Sequence, residues 1–206
     1  MSTLLQIDSS PLSTSVSREL TREFVQTWKA SHPHGKVIVR DLSAVSPRPL
    51  DAAWIQAAYT PDASRTPEQN GLLAVSEELI AELERADEYV IGVAMHNFSI
   101  PSVLKLWVDQ VARKGRTFAY GQDGPKGLLL GKKATLLVAT GGRYGAGSPA
   151  AGMNFADPYL VTILSFLGVA DIKVITAGGA AQLAAGTIDR PTFLQPALEQ
   201  VRAVAA

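Results

Sequence analysis

YVIGVAMHNFSIP, residues 89–101, contains the clearest strand–loop–helix unit of the chain. Its first six residues are apolar throughout, as expected of a central parallel strand that helices cover on both faces. A mixed polar and aromatic loop follows, and ligands of open α/β sheets bind beyond the carboxyl ends of their strands. Pro101 then suits the first position of a helix. The stretch therefore predicts one βα unit of a parallel sheet with a candidate ligand loop.

The same alternation of short apolar runs and longer amphipathic segments extends along the whole chain. Strands are predicted over residues 3–7, 36–40, 89–94, 133–140 and 171–176. Helices are predicted over residues 17–30, 51–59, 66–85, 101–113, 155–167 and 191–204. Residues 115–127, rich in glycine and aromatic residues, predict a hairpin. The pattern predicts an α/β fold of three layers, with a five-stranded parallel sheet and helices on both faces.

Length and composition exclude several classes of protein. A chain of 206 residues can bury the core of one α/β domain, so we expect a single domain over residues 1–206. Its 19 basic and 19 acidic side chains balance, whereas nucleic-acid binders usually carry a basic excess, so no nucleic-acid partner is expected. The absence of cysteine excludes disulfides, thiolate catalysis and cysteine-ligated metals.

The amino-terminal sequence MSTLLQIDSSPLSTS has no basic segment, and its apolar run is too short for a signal peptide. Nowhere does the chain approach the roughly 18 consecutive apolar residues of a membrane span. We therefore expect a cytoplasmic protein without a membrane partner.

The loop after the first predicted strand, residues 8–17, is rich in hydroxyl groups. Seven of its ten residues are Ser, Thr or Asp. Hydroxyls and free backbone N–H groups at a helix N-terminus favour an anion such as a phosphate. The chain has neither G-x-G-x-x-G nor a Walker A motif, which disfavours a Rossmann dinucleotide site and an ATPase. The alternative is a polar loop in which Ser17 caps the following helix.

Two further loops fall at the same expected edge of the sheet. Residues 95–98 combine apolar, aromatic and amide groups, which suits a flat heteroaromatic ring with one polar edge. Gly141 and Gly142 allow close backbone approach, and their N–H groups can point at an electron-rich edge. Each loop alone could be an ordinary connection. Together they predict a ligand with a phosphate at one end and a ring at the other.

The motifs SSPxxxxSVS, MHNFSIP and ATGG, in this order, resemble the FMN-dependent NADH azoreductase and NAD(P)H quinone oxidoreductase family. GRTFAYGQDGPKGLLLGKK (residues 115–133) and DIKVITAGG (residues 171–179) extend the resemblance over most of the chain. It implies a flavodoxin-like fold with strand order 2-1-3-4-5. It also implies a homodimer with the active site near the interface, so that the partner chain can contribute residues.

The resemblance assigns the FMN site residue by residue. The phosphate would be held by the first loop, through Ser9, Ser10, Ser15, Val16 and Ser17. The isoalloxazine ring would be held by the second loop, through Met95, His96, Asn97 and Phe98. The polar edge of the ring would be covered by Ala139, Thr140, Gly141 and Gly142. The family more often has Tyr or Trp at position 96, and Ser-Arg or a similar pair at positions 139–140. The aromatic residues expected around the substrate are Phe118, Tyr120 and Tyr144, with core or dimer packing as the alternative for the first two.

The resemblance implies a ping-pong reaction in which the flavin performs the chemistry and no catalytic side chain is required. NADH or NADPH would pass a hydride to bound FMN, and a quinone or aromatic azo compound would then take two electrons. The N–H groups of Gly141 and Gly142 would stabilise negative charge on the reduced ring. His96 could transfer a proton near neutral pH, but contact with the ring is the expected role.

Two other functions are compatible with a doubly wound sheet. A flavodoxin-like electron carrier or flavin-binding regulatory protein would lack NAD(P)H turnover, but a carrier usually has an acidic docking surface. A hydrolase would need a G-x-S-x-G turn, which the chain lacks. His32 and His34 could bind a metal, although a solvent-exposed turn is expected.

Overall fold

A computed structural model of the chain describes residues 1–122 and 124–206. The described residues form seven strands, at Thr3–Asp8 (β1), Lys36–Asp41 (β2), Glu88–Ala94 (β3), Phe118–Gly121 (β4), Gly124–Gly127 (β5), Lys133–Thr140 (β6) and Asp171–Gly178 (β7). Five of them form a parallel sheet of order β2-β1-β3-β6-β7. The strands β4 and β5 form a separate antiparallel hairpin. When the five parallel strands are numbered on their own, their order is 2-1-3-4-5, which confirms the prediction.

The α-helices cover both faces of this sheet. They lie at Val16–Ser31 (α1), Ala52–Tyr59 (α2), Pro67–Arg85 (α3), Ser102–Val111 (α4), Asp157–Leu167 (α5), Ala181–Ala184 (α6) and Arg190–Ala205 (α7). The short α6 was not predicted. The helix expected from residue 155 begins at Asp157, because Phe155 forms a parallel β-bridge with Ser99, in which its N–H donates to the Phe98 carbonyl (2.9 Å).

Alternation of side chains along the strands builds two apolar layers, since successive residues point to opposite faces. Leu5, Ile91 and Leu136 pack with the helices α3, α4 and α5 on one face. Leu4 and Val90 pack with α1 and α7 on the other. Both faces of the central strand are buried, as its uniformly apolar sequence predicts.

The hairpin predicted over residues 115–127 is confirmed. It lies against the carboxyl end of α5, where a Cβ on Gly127 would come within 2.2 Å of the Gly168 amide nitrogen. The Leu129 N–H donates to the Leu167 carbonyl (2.9 Å). Because α5 runs antiparallel to the strands, these contacts fix the base of the hairpin near the amino-terminal edge of the sheet.

Over residues 1–122 and 124–206, none of the helices combines the length and the apolar content needed to cross a bilayer.

Candidate active site

The three loops singled out in the sequence lie side by side at the carboxyl edge of the sheet. Their strands β1, β3 and β6 are consecutive neighbours, with Asp8 paired to Gly92 and Ala94 paired to Ala139. Residues that are distant in the chain thus share one edge, as the predicted topology requires.

The first loop presents an open helix N-terminus. Ser15 is the N-cap of α1, but its side chain makes no capping hydrogen bond. Its hydroxyl instead lies 2.9 Å from that of Ser17, and both side chains are almost fully buried. Among the described residues, no acceptor faces the N–H groups of Val16, Ser17 and Arg18. The alternative in which Ser17 caps the helix is therefore wrong, because Ser17 lies inside the first turn. Unpaired donors beside buried hydroxyls make a pocket suited to an anion.

Ser9 and Arg18 hold the shape of this loop. The Ser9 hydroxyl donates to the Gly92 carbonyl (2.7 Å), which ties the end of β1 to β3. Arg18 donates to the Ser10 carbonyl (2.8 Å) and to the Asp41 carboxylate (2.7 Å). The hydrogen bond from Arg18 lowers the pKa of Asp41 to about 2. The one cation in the first turn of α1 is therefore engaged in fixing the loop.

Gly92 and Asp8 support the site in a way that the sequence did not reveal. A Cβ at Gly92 would lie 2.8 Å from Thr21 Cγ2 and 3.0 Å from Asp8 Oδ1, so α1 approaches the sheet closely here. Asp8 is buried and accepts from Thr21 (2.8 Å) and Gln6 (2.7 Å), and its burial raises its pKa. A lone glycine inside an apolar strand is the signal that could have indicated this close approach.

The second loop is a tight turn with an unusual backbone. Asn97 (φ 49°) and Phe98 (φ 71°) are both left-handed, and His96 and Ser99 exchange two backbone hydrogen bonds (2.9 and 3.0 Å). Positive φ at both central residues is typical of a type I′ turn, which normally has glycine at the second position. A bulky residue there is strained by about 1–3 kcal/mol, and such strain clusters at functional sites. The turn leaves the side chains of residues 96–98 exposed at the sheet edge.

Contacts from two sides fix this strained turn. The Met95 N–H donates to the Ala139 carbonyl (2.8 Å), and the Phe155 N–H donates to the Phe98 carbonyl (2.9 Å). The Phe98 ring meets the Tyr144 ring edge to face, with centroids 5.9 Å apart. Tyr144, predicted near the substrate, is therefore brought to the second loop.

The third loop combines a fixed backbone with free donors. The Thr140 hydroxyl donates to the Gly142 carbonyl (2.7 Å), while the N–H groups of Gly179 and Ala180 donate to the Thr140 carbonyl (3.0 and 2.9 Å). Within the described part of the chain, the N–H groups of Gly141 and Gly142 have no acceptor. The Tyr144 ring lies over Gly142, where an added Cβ would be 2.9 Å from the phenol oxygen.

Phe118 and Tyr120 are not brought to these loops within one chain. Phe118 packs on Phe166 (4.8 Å between centroids), near the end of α5 that is opposite to the strained turn. Tyr120 is 64% exposed, beside Lys114.

The histidine pair also lies elsewhere. His32 follows α1, stacks on Trp28 (4.4 Å) and places Nδ1 3.0 Å from the Trp28 carbonyl oxygen, so its ring is used in packing.

Comparison with known proteins agrees with this arrangement. A family model described as a flavodoxin-like fold matches residues 2–204. An FMN-dependent NADH:quinone oxidoreductase of Acidobacterium capsulatum is 65% identical over 206 residues, which cover 100% of both chains. An FMN-dependent NADH:quinone oxidoreductase 3 of Burkholderia lata is 47% identical, covering 98% of this chain and 99% of that one. The chain belongs to the FMN-dependent NADH:quinone oxidoreductase family. The family resemblance read from the motifs is confirmed.

Solved structures related to this family have the same fold. An azoreductase from Bacillus anthracis superposes with a TM-score of 0.89 at 27% identity, covering 100% of this chain and 99% of that one. An FMN-dependent NADH-azoreductase from the same species, in complex with FMN, superposes with a TM-score of 0.88 at 26% identity, covering 100% and 98%.

Proposed function

We propose that this protein is an FMN-dependent NADH:quinone oxidoreductase that also reduces aromatic azo compounds. The observation that carries the proposal is the set of unpaired donors on the first and third loops, which flank the exposed aromatic turn at one sheet edge. FMN presents a phosphate, a flat ring and a polar ring edge in that order. The names of the relatives, quinone oxidoreductases by sequence and azoreductases by structure, point to the same reaction.

The FMN phosphate is assigned to the start of α1. Three free N–H groups, at Val16, Ser17 and Arg18, and the buried Ser15 and Ser17 hydroxyls fit a dianion. Since Arg18 is bound to Asp41, the helix dipole and neutral donors hold the charge. Ser9 and Ser10 shape the loop around it.

The ring is assigned to the second and third loops. Met95, His96, Asn97 and Phe98 form its wall, and Ala139, Thr140, Gly141 and Gly142 form its polar edge. The strained turn suits this role because its geometry holds the Phe98 ring out from the sheet before any ligand arrives.

Bound FMN would supply two-electron chemistry: acceptance of a hydride from NADH or NADPH, and reduction of a quinone or, over two rounds, of an azo bond. The free N–H groups of Gly141 and Gly142 are fixed before the reaction, so they stabilise negative charge on the ring edge without rearrangement. His96 contacts the ring, and Tyr144 borders the space for the substrate. No side-chain nucleophile takes part.

A homodimer is proposed as the active form. A cavity of about 520 Å³ is lined by Ser99 and Ile100, at the end of the strained turn, and by Phe155, which is 60% exposed. Tyr120 is exposed far from the loops of its own chain, where a partner's site could use it together with Phe118. Sedimentation velocity should give twice the 21.9 kDa of one chain. A monomer at assay concentrations would contradict the dimer.

Two further proposals concern the domain organisation and the cellular location of the protein. We propose one domain over residues 1–206, since the family match extends over residues 2–204. We propose a cytoplasmic location, because the donor named for the relatives, NADH, is an intracellular reductant.

The first test is the visible spectrum of the purified protein. Flavin bands should appear, bleach on anaerobic addition of NADH and return with a quinone. Bands that NADH does not bleach would identify a passive carrier instead. A protein that neither carries nor takes up FMN would overturn the assignment of the three loops.

A further inference from the structure

A second cavity, of about 420 Å³, adjoins the candidate flavin site on the α7 side of the sheet. Its apolar wall includes Phe193 and Pro196, and its polar groups include Gln182. Arg143 and Tyr144 form the border with the flavin site, because Tyr144 also contacts the Phe98 ring. A ligand lying on the flavin could therefore continue past Tyr144 into this cavity.

Arg143 is an exposed cation at this border. Among the described residues no carboxylate lies within 4 Å of it, whereas Arg18 is paired with Asp41 and Arg190 with Glu19. Its Nε lies 3.5 Å from the position of a Cβ on Gly179, so the side chain extends towards the loop after β7, beside the cavity that Arg143 helps to line. An exposed guanidinium with free donors is suited to a phosphate group.

The rest of the cavity suits a flat heterocycle. None of the described residues that line it is acidic, so an anion meets no opposing charge. Phe193 and Pro196 offer apolar surface. The Gln182 side-chain amide donates to the Gly179 carbonyl (3.2 Å), which leaves its oxygen free to accept from an exocyclic amine.

We propose that this cavity binds the pyrophosphate and adenosine half of NADH. The pyrophosphate lies on Arg143, the adenine lies against Phe193, and the nicotinamide reaches the flavin beside Tyr144. The proposal rests on the function proposed above and adds the residues that recognise the donor. It also explains how the enzyme distinguishes the hydride donor from the acceptor, because a neutral quinone has no charged group that Arg143 could bind.

The test compares two hydride donors on the FMN-loaded enzyme. NADH has the pyrophosphate and adenosine, whereas 1-benzyl-1,4-dihydronicotinamide has only the reactive ring. Arg143→Ala should raise the ratio of the NADH KM to the benzyl-donor KM about tenfold, the effect of losing one charge-assisted contact. Arg85→Ala is the matched control, because Arg85 lies at the end of α3, has no carboxylate partner among the described residues and should leave the ratio unchanged.

A binding readout completes the design. Calorimetric titration of ADP into the oxidised holoenzyme should show binding that Arg143→Ala weakens about tenfold and Arg85→Ala does not change. Gln200→Glu, which adds a charge to the cavity rim on exposed α7, should weaken ADP binding several-fold.

The outcomes separate the two proposals. If neither donor bleaches the flavin, the proposed function fails. If both donors bleach it but Arg143→Ala changes neither the KM ratio nor ADP binding, the function stands and the assignment of this cavity is overturned.

Discussion

Gly92→Ala tests the dependence of the phosphate loop on the close approach of α1 to β3. The new Cβ would lie 2.8 Å from Thr21 Cγ2, 3.0 Å from Asp8 Oδ1 and 3.4 Å from the Ser17 carbonyl oxygen. Thr21 cannot simply rotate away, because its hydroxyl donates to Asp8 (2.8 Å) and lies 3.0 Å from the Arg18 carbonyl. The first turn of α1 must therefore shift outward, or the buried Asp8 must lose a partner.

Either response has a cost that can be estimated. Overpacking by one methyl group costs about 1–3 kcal/mol, and loss of a hydrogen bond to a charged group costs about 1.5–3 kcal/mol. We expect the free energy of unfolding to fall by about 2 kcal/mol. Since the same turn carries the proposed phosphate donors, the Kd for FMN should rise about tenfold.

Two assays measure these effects. Urea unfolding of the FMN-free protein gives the stability, and quenching of FMN fluorescence on binding gives the Kd. Gly71→Ala is the matched control, because Gly71 lies in α3 and a Cβ there meets nothing within 4 Å. The control should gain about 0.5–1 kcal/mol from its better helix propensity and leave FMN affinity unchanged. If Gly92→Ala matches the wild type in both assays, the close approach does not support the phosphate loop.

Three further predictions follow from the same loops. Ser17→Ala should raise the FMN Kd about tenfold, because it removes a buried hydroxyl from the proposed phosphate site. Ser31→Ala, at the exposed end of α1, is the control and should leave the Kd unchanged. Equal Kd values for the two variants would exclude a role of Ser17 in phosphate binding. Phe98→Gly should raise the free energy of unfolding by about 1 kcal/mol, because glycine relieves the strain at φ 71°. The same variant should weaken FMN binding. A variant that is less stable than the wild type in urea unfolding would show that the turn is not strained. Asp41→Asn should change how the free energy of unfolding depends on pH in acid. The Arg18 hydrogen bond lowers the pKa of Asp41 from 3.8 to about 2. The contribution of Asp41 to the free energy of unfolding is therefore present above pH about 4 and is lost as the pH falls towards about 2. The difference in unfolding free energy between this variant and the wild type should therefore shrink over that interval, and a constant difference would contradict it.

The order of elements and the edge that carries the ligand loops could be predicted because both depend on local pattern. The apolar run of residues 89–94 has no polar face, so it had to be a strand covered on both sides. Thr66 and Pro67 likewise marked the start of α3, which has a capping box with Gln69. The family motifs are contiguous, so their order alone identified the resemblance.

Two assignments differ from the structure, one because of a local turn and one because of a contact between distant segments. Ser17 looked like a helix cap, but the chain before α1 turns so that Ser15 takes that position. The helix expected from residue 155 begins later because Phe155 forms a β-bridge with Ser99, 56 residues earlier in the chain. The role of Phe118 and Tyr120 at the substrate stays a prediction, because the packing of the hairpin on α5 places them away from the loops of their own chain.

The sequence by itself therefore determined the fold, the family and which three loops could hold a ligand, because periodicity and short motifs are properties of neighbouring residues. Only the tertiary structure decided how the backbone and side chains of those loops are arranged to bind the ligand. The strain at Asn97 and Phe98, the approach of α1 at Gly92 and the place of Arg143 beside the second cavity each arise where separate elements meet. A single residue's type does not specify such features, since they depend on which atoms the rest of the chain brings within 3–4 Å.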